Sequence, residues 1–349
     1  MTSIETSVEM PALVGTDPMG FLAALGVLRL VTVELEWPAT LSWPNGPRRG
    51  AILGGCPTGT TVEDVVDSIV GIVEATKAAG RLIPGVDGFP PAKEASAGSD
   101  PVKEITFRER SGLGLTSHDR PNSFADWLAA TVATAARQEL DARDRLTAAF
   151  VRPTGQVTFD RSLNAGLGDS TRERIHQAIT EWVRVDGVTG NYFDQRAVRD
   201  EFIGSHIKGS MKNAGVPGAA WLALMALPFL PVRTALSGKA ITVCFQRIRG
   251  KPTRMVWPVW STALNASAVQ ALLDHPVLTR IDLLPVDLGE ARRRQRANAN
   301  ALRSLSVTAV LSADRRPGPQ GPEGALGPSV VLASVKPTVE VWDQPVEAE

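Results

Sequence analysis

The sequence predicts an α+β fold: mixed helices and short antiparallel strands with no transmembrane segment. Two observations predict it. Apolar residues recur at helical spacing in some windows and alternate in others, and these windows interleave without the regular βαβ spacing of a doubly wound sheet. Pro/Gly-rich stretches punctuate them, and no repeat of fixed period appears.

Each element has its own warrant in the chain. A short strand near Ala12 comes first. Asp17 then caps a helix, and Pro18 takes its first position, where the missing N–H has no partner to lose. Phe21, Leu22, Leu25, Leu28 and Val31 recur at helical spacing, while Gly20 and Gly26 lower helicity and predict close approach of another element or a ligand. Val33-Glu-Leu-Glu-Trp37 alternates like a half-buried strand. Thr61-Val-Glu-Asp64 is a variant capping box, opening a helix that carries Val65, Val66, Ile69, Val70 and Val73 on one side and closes at Gly80. Residues 84–101, rich in Pro and Gly, read as a surface excursion.

Ser123 to Phe150 is the longest helical pattern, with Phe124, Trp127, Leu128 and Val132 inward and a charged second half. Ser170-Thr-Arg-Glu173 reads as a capping box opening a helix with Ile175, Ile179, Trp182 and Val183 on its apolar face. Trp221 to Leu227 is apolar on nearly all sides, so that helix belongs at the centre. Ala240–Gln246 and Thr253–Val259 form two strands of a hairpin with a basic tip. Leu288 to Leu305 is helical, and Ser306–Ser312 and Ser329–Val335 are late strands around a Pro/Gly-rich stretch.

These elements divide into an acidic N-terminal α+β part (1–155), a basic part with the apolar core helix and hairpin (156–312), a Pro/Gly-rich linker (313–328), and a final strand with an acidic tail (329–349). The net charge is zero, but residues 1–100 hold 6 Lys and Arg against 12 Asp and Glu, whereas residues 201–300 hold 13 against 5. That asymmetry suits a polyanion facing the basic part, or ordinary variation in a chain with 29 Arg and 8 Lys. Two cysteines, Cys56 and Cys244, give no disulfide framework and point to a reducing cytoplasm. The start of the chain is acidic and lacks the unbroken apolar run of a secretory signal. Val216 to Val232 is short for a membrane span and holds three prolines, so it reads as a core helix.

Catalytic signatures are missing from the text: there is no GxxxxGK[ST], HExxH, GxSxG or paired CxxC. The expectation is no catalytic residue, no metal and no cofactor. His118, His176, His206 and His275 lack local metal-ligand spacing. Ser117-His118-Asp119-Arg120 has residue types for acid–base work and is the site of a minority enzyme reading, against a surface turn. Both cysteines read as small buried hydrophobes. Gly166-Leu-Gly-Asp-Ser-Thr-Arg172 leads into a helix start, where free N–H groups attract phosphate, although Asp169 opposes it. Trp257 and Trp260 around Pro258 read as a corner of the core.

The binding candidates are basic. Lys208 and Lys212 flank a flexible Gly209; Arg247, Arg249, Lys251 and Arg254 crowd the hairpin tip; Arg292, Arg293, Arg294 and Arg296 spread around a helix at about 100° per residue. Such groups hold phosphates with strong salt dependence and little base specificity.

The run Pro18-Met-Gly-Phe-Leu-Ala-Ala-Leu-Gly-Val-Leu-Arg-Leu-Val31, with Leu41-Ser42-Trp43 behind it, resembles the N-terminus of CRISPR-associated proteins of type I-U (I-G) systems, which open with an LxALGxLRL helix. Gly218 to Pro231 and Met255-Val-Trp-Pro-Val-Trp260, with a helix ending near Leu273, extend the resemblance. It implies an antiviral role beside a crRNA-guided effector complex and its helicase-nuclease, contacting crRNA or DNA. The competing readings are a protein-interaction scaffold without nucleic acid and a small-molecule enzyme using the His118 loop.

Overall fold

The computed structural model describes residues 6–87, 89, 124–131, 159–188, 193–194, 214–234, 240–246, 253–279, 298, 300–315 and 325–334. Its elements follow in order: β1 (Thr6–Val14), α1 (Pro18–Val33), β2 (Thr40–Ser42), β3 (Gly50–Cys56), α2 (Val62–Ala78), α3 (Phe124–Thr131), α4 (Phe159–Asp169) and α5 (Arg172–Thr180). After β4 (Val185–Asp186) and β5 (Ala214–Gly215) come α6 (Pro217–Met225), β6 (Val232–Thr234), β7 (Ala240–Thr242), β8 (Phe245–Gln246) and β9 (Arg254–Trp260). The chain ends in β10 (Leu264–Asn265), α7 (Ala266–Leu273), α8 (Pro276–Thr279), β11 (Val307–Asp314) and β12 (Val330–Ser334). The α+β class holds: one antiparallel sheet is ordered β1-β3-β2-β10, a second β12-β11-β9-β8, and two-stranded ribbons join β4 to β5 and β6 to β7.

Helices α1 and α6 form the centre. Every residue from Pro18 to Val31 is buried, as are all nine of α6, so neither helix has a polar face to turn to water. They meet backbone to backbone at Gly26, where an added Cβ would overlap the carbonyl of Leu222. Gly218 does the same for α6 against α5, under the carbonyl of Arg174. The start of α1 is built as its sequence dictates: Pro18 is at the first position, and the Asp17 side chain accepts from the Gly20 N–H at 2.9 Å. In α2, Thr61 and Asp64 cap each other's backbone reciprocally.

An aromatic cluster ties the two larger sheets to α1. Phe21 stacks on Trp43 at 5.6 Å, Trp43 meets Trp260 edge-on at 5.0 Å, and Trp257 lies 6.1 Å from Phe21. The three indoles are fully buried and spend their N–H groups on Leu13, Gly15 and Leu41 carbonyls at 3.0, 2.9 and 2.7 Å. Trp257 and Trp260 are therefore core, as their spacing suggested. Strand β9 is buried along both faces, which explains its continuous apolar text. Elements from both sides of residue 155 share this core, since β10 pairs with β2 and α6 packs on α1.

Several expectations need correction. Residues 33–37 are not a strand: α1 runs through Val33, and Glu36 turns the chain at a φ of 54°. The cap of α5 is Thr171, not Ser170, because the buried Ser170 hydroxyl donates back to the Gly166 carbonyl at 2.7 Å. The helix ends before Trp182 and Val183. Ala240–Gln246 is not one strand, since Cys244 at φ 65° divides it into β7 and β8. Of the 84–101 stretch, Pro84, Val86 and Phe89 are buried and Gly85 and Asp87 exposed; residues 88 and 90–101 lie outside those described. Most of Ser123–Phe150 beyond α3, and most of Leu288–Leu305, lie outside them too. No helix among the described residues is long and apolar enough to cross a membrane.

Candidate binding cleft

Three distant pieces of chain meet around a cleft of about 350 Å³. Strand β1 contributes Ala12 and Val14, the turn after it Thr16 and Asp17, the segment after α5 Trp182 and Arg184, and the residue just before β12 is Ser329. Asp17 is held there by its capping bond. Trp182 is placed by the way α5 stops: its N–H returns to the Gln177 carbonyl at 2.6 Å, and its φ of 64° is the left-handed region that large side chains avoid. An off-region residue costs of order 1–3 kcal/mol, kept only where surrounding structure enforces it.

That turn directs Arg184 onto Asp194, whose side chain is fully buried. The guanidinium grips both carboxylate oxygens, at 2.6 and 2.8 Å, and donates to the Ala214 carbonyl at 2.8 Å. A buried carboxylate needs such a fork to offset its lost hydration. Among the described residues, these bonds leave Arg184 with its Nε–H and one Nη2–H of five donors.

Burial raises the Asp17 carboxyl above its ordinary value, the Gly20 N–H opposes this, Asp194 pushes further up and Arg184 pulls down. The Arg184 charge is spent on Asp194, so the lining offers an anion no uncompensated cation. An aromatic wall, two hydroxyls and spare guanidinium donors suit a planar, polar, uncharged group. The described lining includes no histidine or cysteine.

Of the basic candidates, Arg254 alone falls within the described residues. It lies on β9 with Nε donating to Asp314 Oδ1 at 2.5 Å, so its charge is shared with the neighbouring strand. Lys208, Lys212, Arg247, Arg249, Lys251, Arg292, Arg293, Arg294 and Arg296 lie outside, as does His118. His176 faces Glu63 across the α2–α5 gap, with 2.9 Å between Nε2 and Oε1. Gly166 and Gly168 are inside α4 rather than in a phosphate loop, and Gly166 abuts Trp221. Both cysteines are free and buried, and burial pushes the Cys56 thiol up to about 11 and Cys244 higher still. Among the described residues, no group of three or more His, Cys, Asp and Glu is placed to hold a metal ion.

Sequence reading took Asp17 and Trp182 as helix features and missed Arg184, Asp194, Thr16 and Ser329. The one local signal was an Arg four residues past a helix end, and its partner lies ten residues away. A second buried polar group was missed as well. Arg29, in the LxALGxLRL run, is 4% exposed, and its guanidinium lies 5.3 Å over the Trp127 ring. Its two terminal nitrogens have no hydrogen-bond partner among the described residues. Burial lowers it to about 10, while Glu34 and Asp126 pull it back.

Comparison with protein-family models, with curated proteins and with solved structures returned no match to this chain.

Proposed function

We propose that this chain is a non-catalytic CRISPR-associated protein, a cytoplasmic subunit or accessory of a type I-U/I-G antiviral effector complex, contacting crRNA or target DNA through its basic residues. The observation that carries the reading is that the three stretches resembling that family build one place: α1 and α6 meet at Gly26, and Trp43, Trp257 and Trp260 surround Phe21. They are the framework on which a shared fold would depend. The excess of Lys and Arg in residues 201–300 supports a polyanion partner. The absence of a catalytic role draws support from the thiols, which burial keeps protonated at neutral pH. Arg184 is likewise committed to Asp194 rather than poised for chemistry.

The test is mild tag purification from the native host, reading protein and nucleic acid in one eluate, with oligonucleotide binding measured across salt. Effector subunits with crRNA, and an affinity that falls linearly on a log–log salt plot, are expected. A clean protein that retains no oligonucleotide at low salt overturns the reading.

A further inference from the structure

Resting on the nucleic-acid reading above, we propose that the cleft between β1, the Asp17 turn and Trp182 seats one unpaired nucleobase, while the phosphates of the same strand stay outside it. Size is the first argument. At about 350 Å³ the cleft is at the small end of ligand sites, room for a single base with its sugar and not for two stacked nucleotides. Charge is the second. Arg184 is already neutralised by Asp194, and Asp17 adds no positive charge, so a phosphate entering the cleft finds no uncompensated cation, whereas a neutral heterocycle needs none.

Chemistry is the third argument. Trp182 places an indole in the lining of the cleft, in a backbone conformation that an unconstrained tryptophan would leave. Base–aromatic stacking accepts any base, because every base has a π-face. Arg184 supplies two unspent N–H donors beside it, which match the carbonyl oxygens and ring nitrogens on base edges. Thr16 and Ser329 add hydroxyls that donate or accept. A basic side chain from a partner protein would also stack on Trp182, but as a donor-only group it would offer the Arg184 N–H groups no acceptor. The base uses the indole, the guanidinium and both hydroxyl residues of the lining together.

The experiment is calorimetric titration of the full chain with the four ribonucleosides, their 5′-monophosphates, inorganic phosphate and N-acetylarginine amide. At least one nucleoside is expected to bind, with its monophosphate binding no more tightly. Trp182→Leu should weaken it roughly 5- to 150-fold, the loss that stacking of about 1–3 kcal/mol per base implies. Should Trp182→Leu fail to fold, Ala12→Phe answers the same question by filling the cleft without removing a polar group, and it too should abolish nucleoside binding. Failure of all four nucleosides to bind overturns the proposal, as does tighter binding by phosphate or by the arginine amide. Unchanged nucleoside affinity in both variants does the same. Oligonucleotide binding separates this proposal from the reading beneath it. If an oligonucleotide binds both variants as it binds the wild type, the cleft assignment falls and the nucleic-acid reading stands. Nucleoside binding blocked by Ala12→Phe, with no oligonucleotide retained, supports the cleft and overturns the polymer reading.

Discussion

The contact of α1 with α6 and that of α2 with α5 join helices in opposite ways. The first is dry: both helices are buried on all sides, and Gly26 lets one backbone lie on the other. The second is wet: Arg172 reaches Glu63 at 2.9 Å and Asp67 at 2.6 Å, and His176 meets Glu63, all on side chains that water still touches. Shape fixes the first contact and charge the second. A close-packed contact answers to single methyl groups, whereas an exposed ion pair answers to salt.

The sharpest way to break this comparison is Gly26→Ala. The new Cβ overlaps a main-chain carbonyl that cannot swing aside as a side chain would. A loss of about 3 kcal/mol or more is expected, at the upper end for overpacking, and it is read from the urea midpoint at unchanged slope. A wild-type midpoint would mean that α1 and α6 slide apart without penalty, and the dry contact would not be the framework argued here.

Arg29→Met sharpens the same contrast from inside the dry region. Arg29 is a cation whose two terminal nitrogens lack hydrogen-bond partners among the described residues, and the Trp127 ring offsets only part of its lost hydration. An apolar side chain of similar length should raise stability by about 1 kcal/mol, since buried charges are often worth less than well-packed apolar replacements. A lower midpoint would show that Arg29 holds the core together through Trp127, and the centre would then not be purely a matter of shape.

The sequence made the dry region legible and the cleft nearly illegible, for a physical reason. Asp17, Pro18 and the Thr61–Asp64 box act within one turn of their own helix, so their text carries their role. An all-apolar helix such as α6 announces its burial. Val33–Trp37 misled because alternation fits a strand, yet α1 simply ran on until Glu36 turned it. The α5 cap moved by one residue because Ser170 found a carbonyl behind it. The cleft, by contrast, needs β1, the end of α5 and the residue before β12 together, and Arg184 finds Asp194 and Ala214 ten and thirty residues away. No local pattern encodes such a meeting.

A smaller effect is expected where the wet and dry regimes meet, at Asp17. Its folded carboxyl titrates above the ordinary value of 3.8, so the folded chain binds a proton that the unfolded chain releases. The associated stability is therefore present below pH 3.8 and is lost as pH rises through the raised folded value. Asn caps a helix about as well as Asp, so Asp17→Asn should keep α1 while flattening that part of the stability–pH curve. An unchanged slope from pH 3.5 upward would mean that Asp17 is solvated like a surface carboxylate, and its burial beside the cleft would not hold.

The smallest effect belongs to Glu63→Gln in the wet contact. Arg172 keeps Asp67, and His176 keeps an acceptor in the amide oxygen, so geometry survives while one charge is lost. Exposed pairs of this kind contribute little, because the attraction is screened and two long side chains must be ordered to make it. The variant should shift the midpoint less than any other discussed, and the shift should vanish in 1 M salt, where the screening length is about 3 Å. Gly26→Ala should be indifferent to the same salt, beyond the general effect that salt has on both proteins. A Glu63→Gln loss that persisted in 1 M salt would place the α2–α5 contact among the shape-determined ones, and the distinction between the two contacts would rest on exposure alone.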